Sequence, residues 1–522
     1  MLETPEVLIV GAGPTGLMLA NQLARHGVRA TIIDRNPGPS VQTKALAVQS
    51  RTLEIYSRMG IAEPALQLGQ RATGANLWVE GRPMARVPLG DIGRDLSPFP
   101  FVLILGQDDN EKLLGAALRR HGIVVQWNTE LVGLEQNADG VRATLKQSDG
   151  STRRIETRWL AGCDGPHSAV RNLCGIGFPG APYAHVFFVA DTRMTGPMIP
   201  DELNVYLWRS GFHLFFPLHG TDHWRVVGIL PPELRDRDDL DFETVAPAVR
   251  KEAGTALQFQ TCSWFSTYRI HHRRAEKFRD RRCFLLGDAA HIHSPVGGQG
   301  MNTGLQDAYN LGWKLARVVT RQADERLLDS FEAERIPVAE RLLETTDRAF
   351  ALIVSDSGLA GLLRTRVLAR VLAFAMRFER IQKLAYRTIA QIGIQYRSSP
   401  LSEPQSGLPP DAPRAGDRFP WLRLRFTPGG ITEDLYSRYD DTRFNLLLFG
   451  QPAPASVDQR ILVHCIPDDV ANELERVRRH IPKPSFFLLR PDGHVGLAGR
   501  TPSASALSHY LHERLGDCMT PL

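Results

Sequence analysis

The chain has 522 residues, 62 lysines and arginines against 57 aspartates and glutamates, and a hydrophobic share of 43%. That length exceeds one ordinary core, so two or three domains are expected, and the near-balance of charge excludes a nucleic-acid footprint. Six scattered cysteines (Cys163, Cys174, Cys262, Cys283, Cys465 and Cys518) form neither a C-x-x-C pair nor a close cysteine–histidine pattern, which excludes a disulfide scaffold or a zinc site.

His271, His272, His291 and His293 have no carboxylate or thiolate at ligand spacing, so no metal is expected. The apolar start VLIVGAGPTGLMLA follows Glu3 and Glu6 rather than a basic region and is interrupted by Gly and Pro, unlike a secretory leader. No stretch reads as a membrane span, and a cytoplasmic protein is expected.

Val7 to Val10 reads as a buried parallel strand. Gly11-Ala12-Gly13-Pro14-Thr15-Gly16 then opens a helix through Leu17, Leu19, Ala20, Leu23 and Ala24, and a second strand, Ala30 to Ile33, finishes at Asp34-Arg35. This is the dinucleotide fingerprint in its required context. Gly11 makes the tight turn, Gly13 admits a pyrophosphate, Gly16 lets helix and strand pack closely, and Asp34 accepts from a ribose hydroxyl. Lys44 and Arg51 flank a polar loop and an amphipathic helix as candidates to meet phosphate. Gln107 to Leu118 reads as another helix. Val124–Asn128, Leu131–Gln136 and Val141–Leu145 alternate like antiparallel strands.

In Arg158 to Arg171 a strand again ends in an acid followed by glycine, Asp164-Gly165, before a helix. From Phe178 to Ile270 the chain turns rich in Val, Phe, Tyr and Trp, as a separate sheet interrupting the cofactor domain. Tyr206, Trp208, Phe212 and Phe215 are its candidates to line a pocket for a flat substrate. The basic run Arg269 to Arg282 is read either as attracting the phosphates of a nicotinamide cofactor or as a solvated approach loop, with no assigned role.

Cys283 to Ala316 is the densest motif. An apolar strand stops at Gly287-Asp288, a loop of Pro295, Gly297, Gly298 and Gly300 follows, and helical spacing starts near Met301 and Asn302. A strand thus delivers an acid while a helix N-terminus offers positive potential, the parts of a site for a large polyhydroxylated, electron-accepting cofactor. Arg348 to Tyr396 reads as helix with one apolar face and many arginines, packing on the body or on a second subunit in preference to a membrane surface. Ser398 to Pro420 reads as a linker. Asn445–Phe449, Ile461–Cys465 and Ser485–Leu489 read as strands, Pro491-Asp492-Gly493 as a hairpin turn and Ser505 to Leu515 as a closing helix of a small α/β domain.

GAGPTG at Gly11, CDGPHSAVR at Cys163 and GDAAHIHSPVGGQGMNTGLQDAYNLGWKLA at Gly287 together resemble the class A FAD-dependent aromatic hydroxylases, over nearly the whole chain. The tail (SPL at Ser399, AGDRFP at Ala415, LLRPDGHVG at Leu488) is similar to the thioredoxin-like domain of the phenol, chlorophenol and polyketide hydroxylases, here without its C-x-x-C and so without redox activity. The resemblance implies an α/β fold with a FAD-binding Rossmann-like domain (1–177 and, with a helical segment, 271–400). An inserted, mostly antiparallel substrate sheet (178–270) and a thioredoxin-like tail (401–522) complete it.

The resemblance gives the FAD pyrophosphate to Gly11, Gly13, Pro14, Thr15 and Gly16, and the adenosine ribose to Asp34 with Arg35. Lys44, which stands where many members have Arg, and Arg51 go to phosphate, and Gln107 to the ribityl side. Asp164 falls in a motif serving FAD and NAD(P)H. Gly287 and Asp288 go to the ribityl hydroxyls, and Pro295, Gly298, Gly300, Met301 and Asn302 to the isoalloxazine, with Ser294-Pro295 in place of a more usual double proline. The implied activity is hydroxylation of a phenolic or polycyclic aromatic compound by molecular oxygen through a flavin hydroperoxide, with FAD and NADPH or NADH as cofactors and no assignable catalytic residue. A homodimer is compatible. Competing readings are another FAD oxidoreductase of the same fold and a flavin-binding interaction protein, while W-x-W-x-I-P, the halogenase pattern, is absent.

Overall fold

The computed structural model describes residues 5–41, 45–208, 211–235, 237, 239–254, 256–293, 298–354, 367, 369–403 and 407–516. Four consecutive apolar residues make β1 (Val7–Val10), and Leu17, Leu19, Ala20 and Leu23 give α1 (Pro14–Arg25) its buried face before β2 (Ala30–Ile33). After α2 (Ser50–Arg58), the hairpin of β3 (Ala75–Val79) and β4 (Arg82–Val87) turns on Glu80-Gly81, both at positive φ (49° and 77°). In α3 (Gln107–Arg120), Asp108 and Asp109 occupy the first turn and Arg119 and Arg120 the last, matching the helix dipole. Val124–Asn128, expected as a strand, touches the main sheet only through a parallel bridge of Gln126 to Ile33. The antiparallel trio that does form is Glu130–Gln136, Val141–Lys146 and Thr152–Thr157. The chain then returns to the core as β5 (Trp159–Gly162), buried throughout.

The second sheet follows with β6 (Gly180–Thr195), β7 (Leu203–Trp208), β8 (Gly211–Pro217) and β9 (His223–Ile229). Helix α4 (Phe242–Ala253) and the long β10 (Gln258–Arg274) close it. The sheet has eight strands, because the remote hairpin β3–β4 adds to its edge through a parallel pairing of β3 with β7, and His291–Ile292 pairs at the other edge.

Strand β11 (Cys283–Leu285) re-enters the first sheet, which runs β11-β5-β1-β2 with every pairing parallel and a short antiparallel edge strand, Arg279–Asp280. Helix α5 (Gly300–Val319) is buried on nearly all sides, and α6 (Asp329–Val354) packs across it. Beyond α7 (Ala369–Ala375) and α8 (Glu379–Ile389), the tail sheet is formed by β12 (Phe444–Phe449), β13 (Ile461–Ile466), β14 (Ser485–Leu489) and β15 (Val495–Gly499). Its order is β13-β12-β14-β15, with α9 (Val470–Arg478) and α10 (Ala504–Leu515) as helices.

The tail is joined to the first domain through buried charge. Glu334 of α6 accepts from Lys314 of α5 (2.7 Å) and, on both oxygens, from Arg490 of the tail (2.6 and 3.0 Å). Arg490 also pairs with Asp492 in the β14–β15 turn. Glu54 of α2 takes both Arg418 (3.0 Å) and Arg51 (3.1 Å), with Glu54 and Arg51 buried and Arg418 half-buried. Arg25 is bidentate on Asp441 (2.6 and 2.8 Å). The stretch expected as a linker therefore lies against the body, with Leu401 in the main core and Phe419 in the core of the tail.

Candidate functional site

Three carboxylates sit just past the carboxyl ends of strands in one parallel sheet: Asp34 after β2, Asp164 after β5 and Asp288 after β11. In open parallel sheets ligands bind in the crevice at that edge. The glycines beside them differ in what each one's missing side chain allows. Gly11 has φ 101°, and a Cβ there would meet the Cys163 carbonyl oxygen at 2.4 Å. A Cβ on Gly16 would lie 2.0 Å from the Gly11 carbonyl oxygen, whereas one on Gly13 would meet nothing within 4 Å. Gly11 and Gly16 close the turn and bring helix to strand, while Gly13 faces open space at the N-terminus of α1, where Pro14 takes the first helical position.

Asp34 accepts from the Ala12 amide (2.7 Å) and from the Asn36 amide (2.8 Å), which fixes it under the glycine turn, with Arg35 exposed beside it. Asp164 caps the short helix Ala169–Leu173, its Oδ2 accepting from the Ala169 amide (2.7 Å) and the Val170 amide (3.2 Å). Its Oδ1 is buried with no hydrogen-bond partner among the described residues, and burial pushes the carboxyl up from its ordinary pKa. Arg171 in the same motif donates to the Ala289 carbonyl (2.9 Å), tying the second motif to the third.

Gly287 takes φ 58° and abuts Thr15, while Asp288 beside it is exposed. The Gly287 amide donates to Asp307 Oδ2 (3.0 Å), which also meets His291 Nε2 (2.7 Å). Asp307 Oδ1 takes Arg335 (2.6 Å), and Arg335 reaches the Tyr396 hydroxyl (2.9 Å). Burial alone would raise the Asp307 carboxyl, but Arg335 and His291 hold it below its ordinary range. This buried chain behind the Gly287-Asp288 turn was missed in the sequence reading. Its only signal there is an acid in the middle of a helix that also carries Gln306, Asn310 and Lys314, with nothing local to say which partner it meets.

Asn302 is saturated. Its Oδ1 accepts from the Gln49 amide (2.9 Å) and Thr52 (2.8 Å), and its Nδ2 donates to the Ala47 (2.7 Å) and Gly298 (2.9 Å) carbonyls. That residue ties Gly298 to the segment Ala47–Thr52; Gly300 begins α5, with Met301 half-buried beside it. Gln107 starts α3 and donates to Glu111 (2.9 Å). Arg51 is buried in the seam with the tail and donates to the Asp492 carbonyl (2.6 Å). Lys44 and Pro295 lie outside the described residues.

The aromatics of the second sheet divide between its two faces. Tyr206 and Phe215 pack with Trp78, Phe188 and Val226 under Phe242, Val245 and Val249 of α4, and Trp208 stacks on His213 on that side. Phe212 projects the other way, with Val79, Phe187, Leu207 and Ile229 buried beside it and Tyr268 partly buried. Four residues on along β8, Phe216 packs with Leu203 and Leu218 against a cluster containing Leu46 and Ala47, which Gly298 abuts. One sheet face is therefore closed by α4, and the other continues toward Gly298.

The site fits a dinucleotide of the FAD kind. It has open space at Gly13, an unpartnered buried Asp164 oxygen, and helix N-termini at α1, α3 and α5. The sequence pattern of a family described as a FAD binding domain matches residues 4–346. A 6-methylpretetramide 4-monooxygenase from Streptomyces rimosus is 32% identical, the match covering 98% of this chain and 93% of the relative. A pentachlorophenol 4-monooxygenase from Sphingobium chlorophenolicum is 33% identical over 67% of this chain and 65% of its own. The solved structure of an anhydrotetracycline hydroxylase from Streptomyces rimosus superposes with a TM-score of 0.75 at 30% identity, covering 98% of this chain and 99% of the other. The chain belongs to the FAD binding domain family and is a FAD-dependent monooxygenase of the aromatic-hydroxylase type.

Proposed function

We propose that the protein hydroxylates a phenolic or polycyclic aromatic compound, using NAD(P)H and molecular oxygen. The observation that carries this reading is the pairing of a strand-end cofactor edge with an apolar sheet face that runs toward Gly298. When bound, FAD supplies hydride acceptance from NAD(P)H and activation of oxygen. Gly13 and the α1 N-terminus take the pyrophosphate, Asp34 the adenosine ribose, and Asp288 the ribityl hydroxyls. The N-terminus of α5 favours negative charge on the ring edge that faces it. The buried chain Asp307–Arg335–Tyr396 holds the Gly287-Asp288 turn in place beneath those hydroxyls. Phe212, Leu207, Phe187 and Ile229 form the dry wall against which a flat substrate lies, so water is kept from the reacting atoms.

The relatives named for pretetramide and pentachlorophenol support an aromatic substrate. We also read the tail as thioredoxin-like, a reading its strand order supports. It has no helix between β12 and β13 and no C-x-x-C, so thiol chemistry is not part of its role.

Two measurements test the reading. Labelled oxygen gas should appear in the hydroxylated product and labelled water should not; label arriving from water would end the monooxygenase reading. Asp288→Ala should weaken FAD binding about ten- to a hundredfold with the fold intact, because a hydrogen bond to a charged acceptor contributes roughly 1.5–3 kcal/mol. Titration of the apoprotein with FAD gives the answer, and an unchanged Kd would move the ribityl chain away from Asp288.

A further inference from the structure

Helices α7 and α8 attach to the body by one side only. Met376 and Tyr386 are buried, Tyr386 shares a hydrogen bond with Ser50 (2.9 Å), and α8 packs on the short helix Leu89–Gly93 while α7 packs on β4. Their other side is apolar and uncovered by any of the described residues. Val371 is 56% exposed, Phe374 58%, Phe378 50%, Ile381 39% and Leu384 65%. Phe374 and Phe378 stand edge to face, with ring centres 5.3 Å apart, and Val371, Ile381 and Leu384 flank them at three-residue spacing along the two helices. A contiguous apolar patch of this kind marks an interaction surface.

The charges around the patch select its partner. Between Ala369 and Ile389 the sequence carries Arg370, Arg377, Arg380, Lys383 and Arg387 against the single acid Glu379. Lys383 engages that acid at 2.5 Å, while Arg377, Arg380 and Arg387 are exposed. The arginines are interleaved with the apolar residues: Arg380 and Arg387 lie one turn either side of Leu384, and Arg377 lies between the two phenylalanines. A second copy is disfavoured, since a two-fold contact would bring two such cationic clusters together with only one acid on each side to offset them. An apolar stripe bordered by long cationic side chains matches the boundary of an anionic bilayer. Phenylalanine and leucine enter the acyl edge there, and guanidinium groups reach the headgroups. No helix among the described residues is long and apolar enough to cross a membrane, so contact of this kind is peripheral.

We propose that the outward face of α7 and α8 is a docking surface for an anionic phospholipid bilayer. The inference does not depend on which aromatic compound the enzyme hydroxylates. The test is flotation of the FAD-loaded enzyme with phosphatidylcholine vesicles that contain phosphatidylglycerol, against vesicles of phosphatidylcholine alone. The enzyme should float with the first and remain behind with the second, and raised salt should release it, because the headgroup attraction is screened within about 10 Å at 0.1 M salt. Arg377→Glu with Arg380→Glu, and separately Phe374→Ser with Phe378→Ser, should each weaken vesicle binding about tenfold or more while flavin content and NAD(P)H oxidation in vesicle-free buffer stay unchanged. The proposal is overturned if the parent enzyme stays in solution with both vesicle types. It is also overturned if binding ignores salt, or if sedimentation shows a dimer that these substitutions dissociate.

Discussion

Gly13→Val should give a folded protein without flavin, whereas Gly16→Val should give a chain that fails to fold at all. The two positions are three residues apart in one turn and differ in what surrounds them. A side chain at Gly13 meets no protein atom within 4 Å, and the residue already has φ −70°, which any amino acid adopts. The cost of valine there falls entirely on the cofactor, whose pyrophosphate would need the same space. At Gly16 the new Cβ would sit 2.0 Å from the Gly11 carbonyl oxygen and 3.2 Å from the Cys163 Cβ. Relief requires moving β1 away from α1, and overpacking of that kind costs about 3 kcal/mol or more. Flavin absorbance and a thermal melt separate the outcomes. A yellow Gly13→Val protein would show that the pyrophosphate lies elsewhere, and a stable, yellow Gly16→Val protein would show that the helix–strand contact is not required.

Glu334→Ala should be the most destabilising single change in the seam, costing about 3–5 kcal/mol, because it leaves Lys314 without its buried counter-ion and Arg490 with Asp492 alone. Burial lowers Lys314 to about 8 even with Glu334 present, so removing the carboxylate pushes that lysine toward its neutral form. Glu334 is itself fully buried, which opposes ionisation, yet Arg490 and Lys314 hold it down at about 2 against an ordinary 4.5. As the pH falls, the unfolded chain therefore takes up this proton first. The stability Glu334 contributes above pH 4.5 is lost through the window from about 4.5 to about 2. The wild-type urea midpoint should fall steeply across that window, and the Glu334→Gln midpoint less steeply. Equal slopes would assign the acid sensitivity to other carboxylates, and an unchanged midpoint for Glu334→Ala at neutral pH would contradict the seam energetics.

The parts of the site legible in the sequence are those whose chemistry is local. A run of four apolar residues followed by Gly11-Ala12-Gly13 specifies its own turn, and an acid directly after a strand, as at Asp34, Asp164 and Asp288, needs only the strand to be recognised. Pairings over long separations were not legible. The hairpin β3–β4 carries its own turn at Glu80-Gly81, but nothing local says that it will extend a sheet formed a hundred residues later. Alternation along β7 and β8 separates two faces without saying which one α4 will cover, which is why the aromatic candidates include residues from both. Arg51 reads as a cation beside a polar loop; Glu54 is its neighbour one turn along α2, but the Asp492 carbonyl becomes visible only once the tail is in place. Asp307 and Arg335 follow the same rule, each explained by a partner on another helix.

The counter-ions of the seam also bear on how the protein is made. Glu54 and Glu334 belong to helices that leave the ribosome well before Arg418 and Arg490 are synthesised. Until the last part of the chain emerges, those carboxylates have lost part of their neutralising charge, and the helices that carry them have reason to stay hydrated. Vectorial synthesis thus delays the final docking of α2 and α6 to the end of translation. A ribosome stalled before the tail should hold a nascent chain whose flavin half is assembled but not yet dry inside.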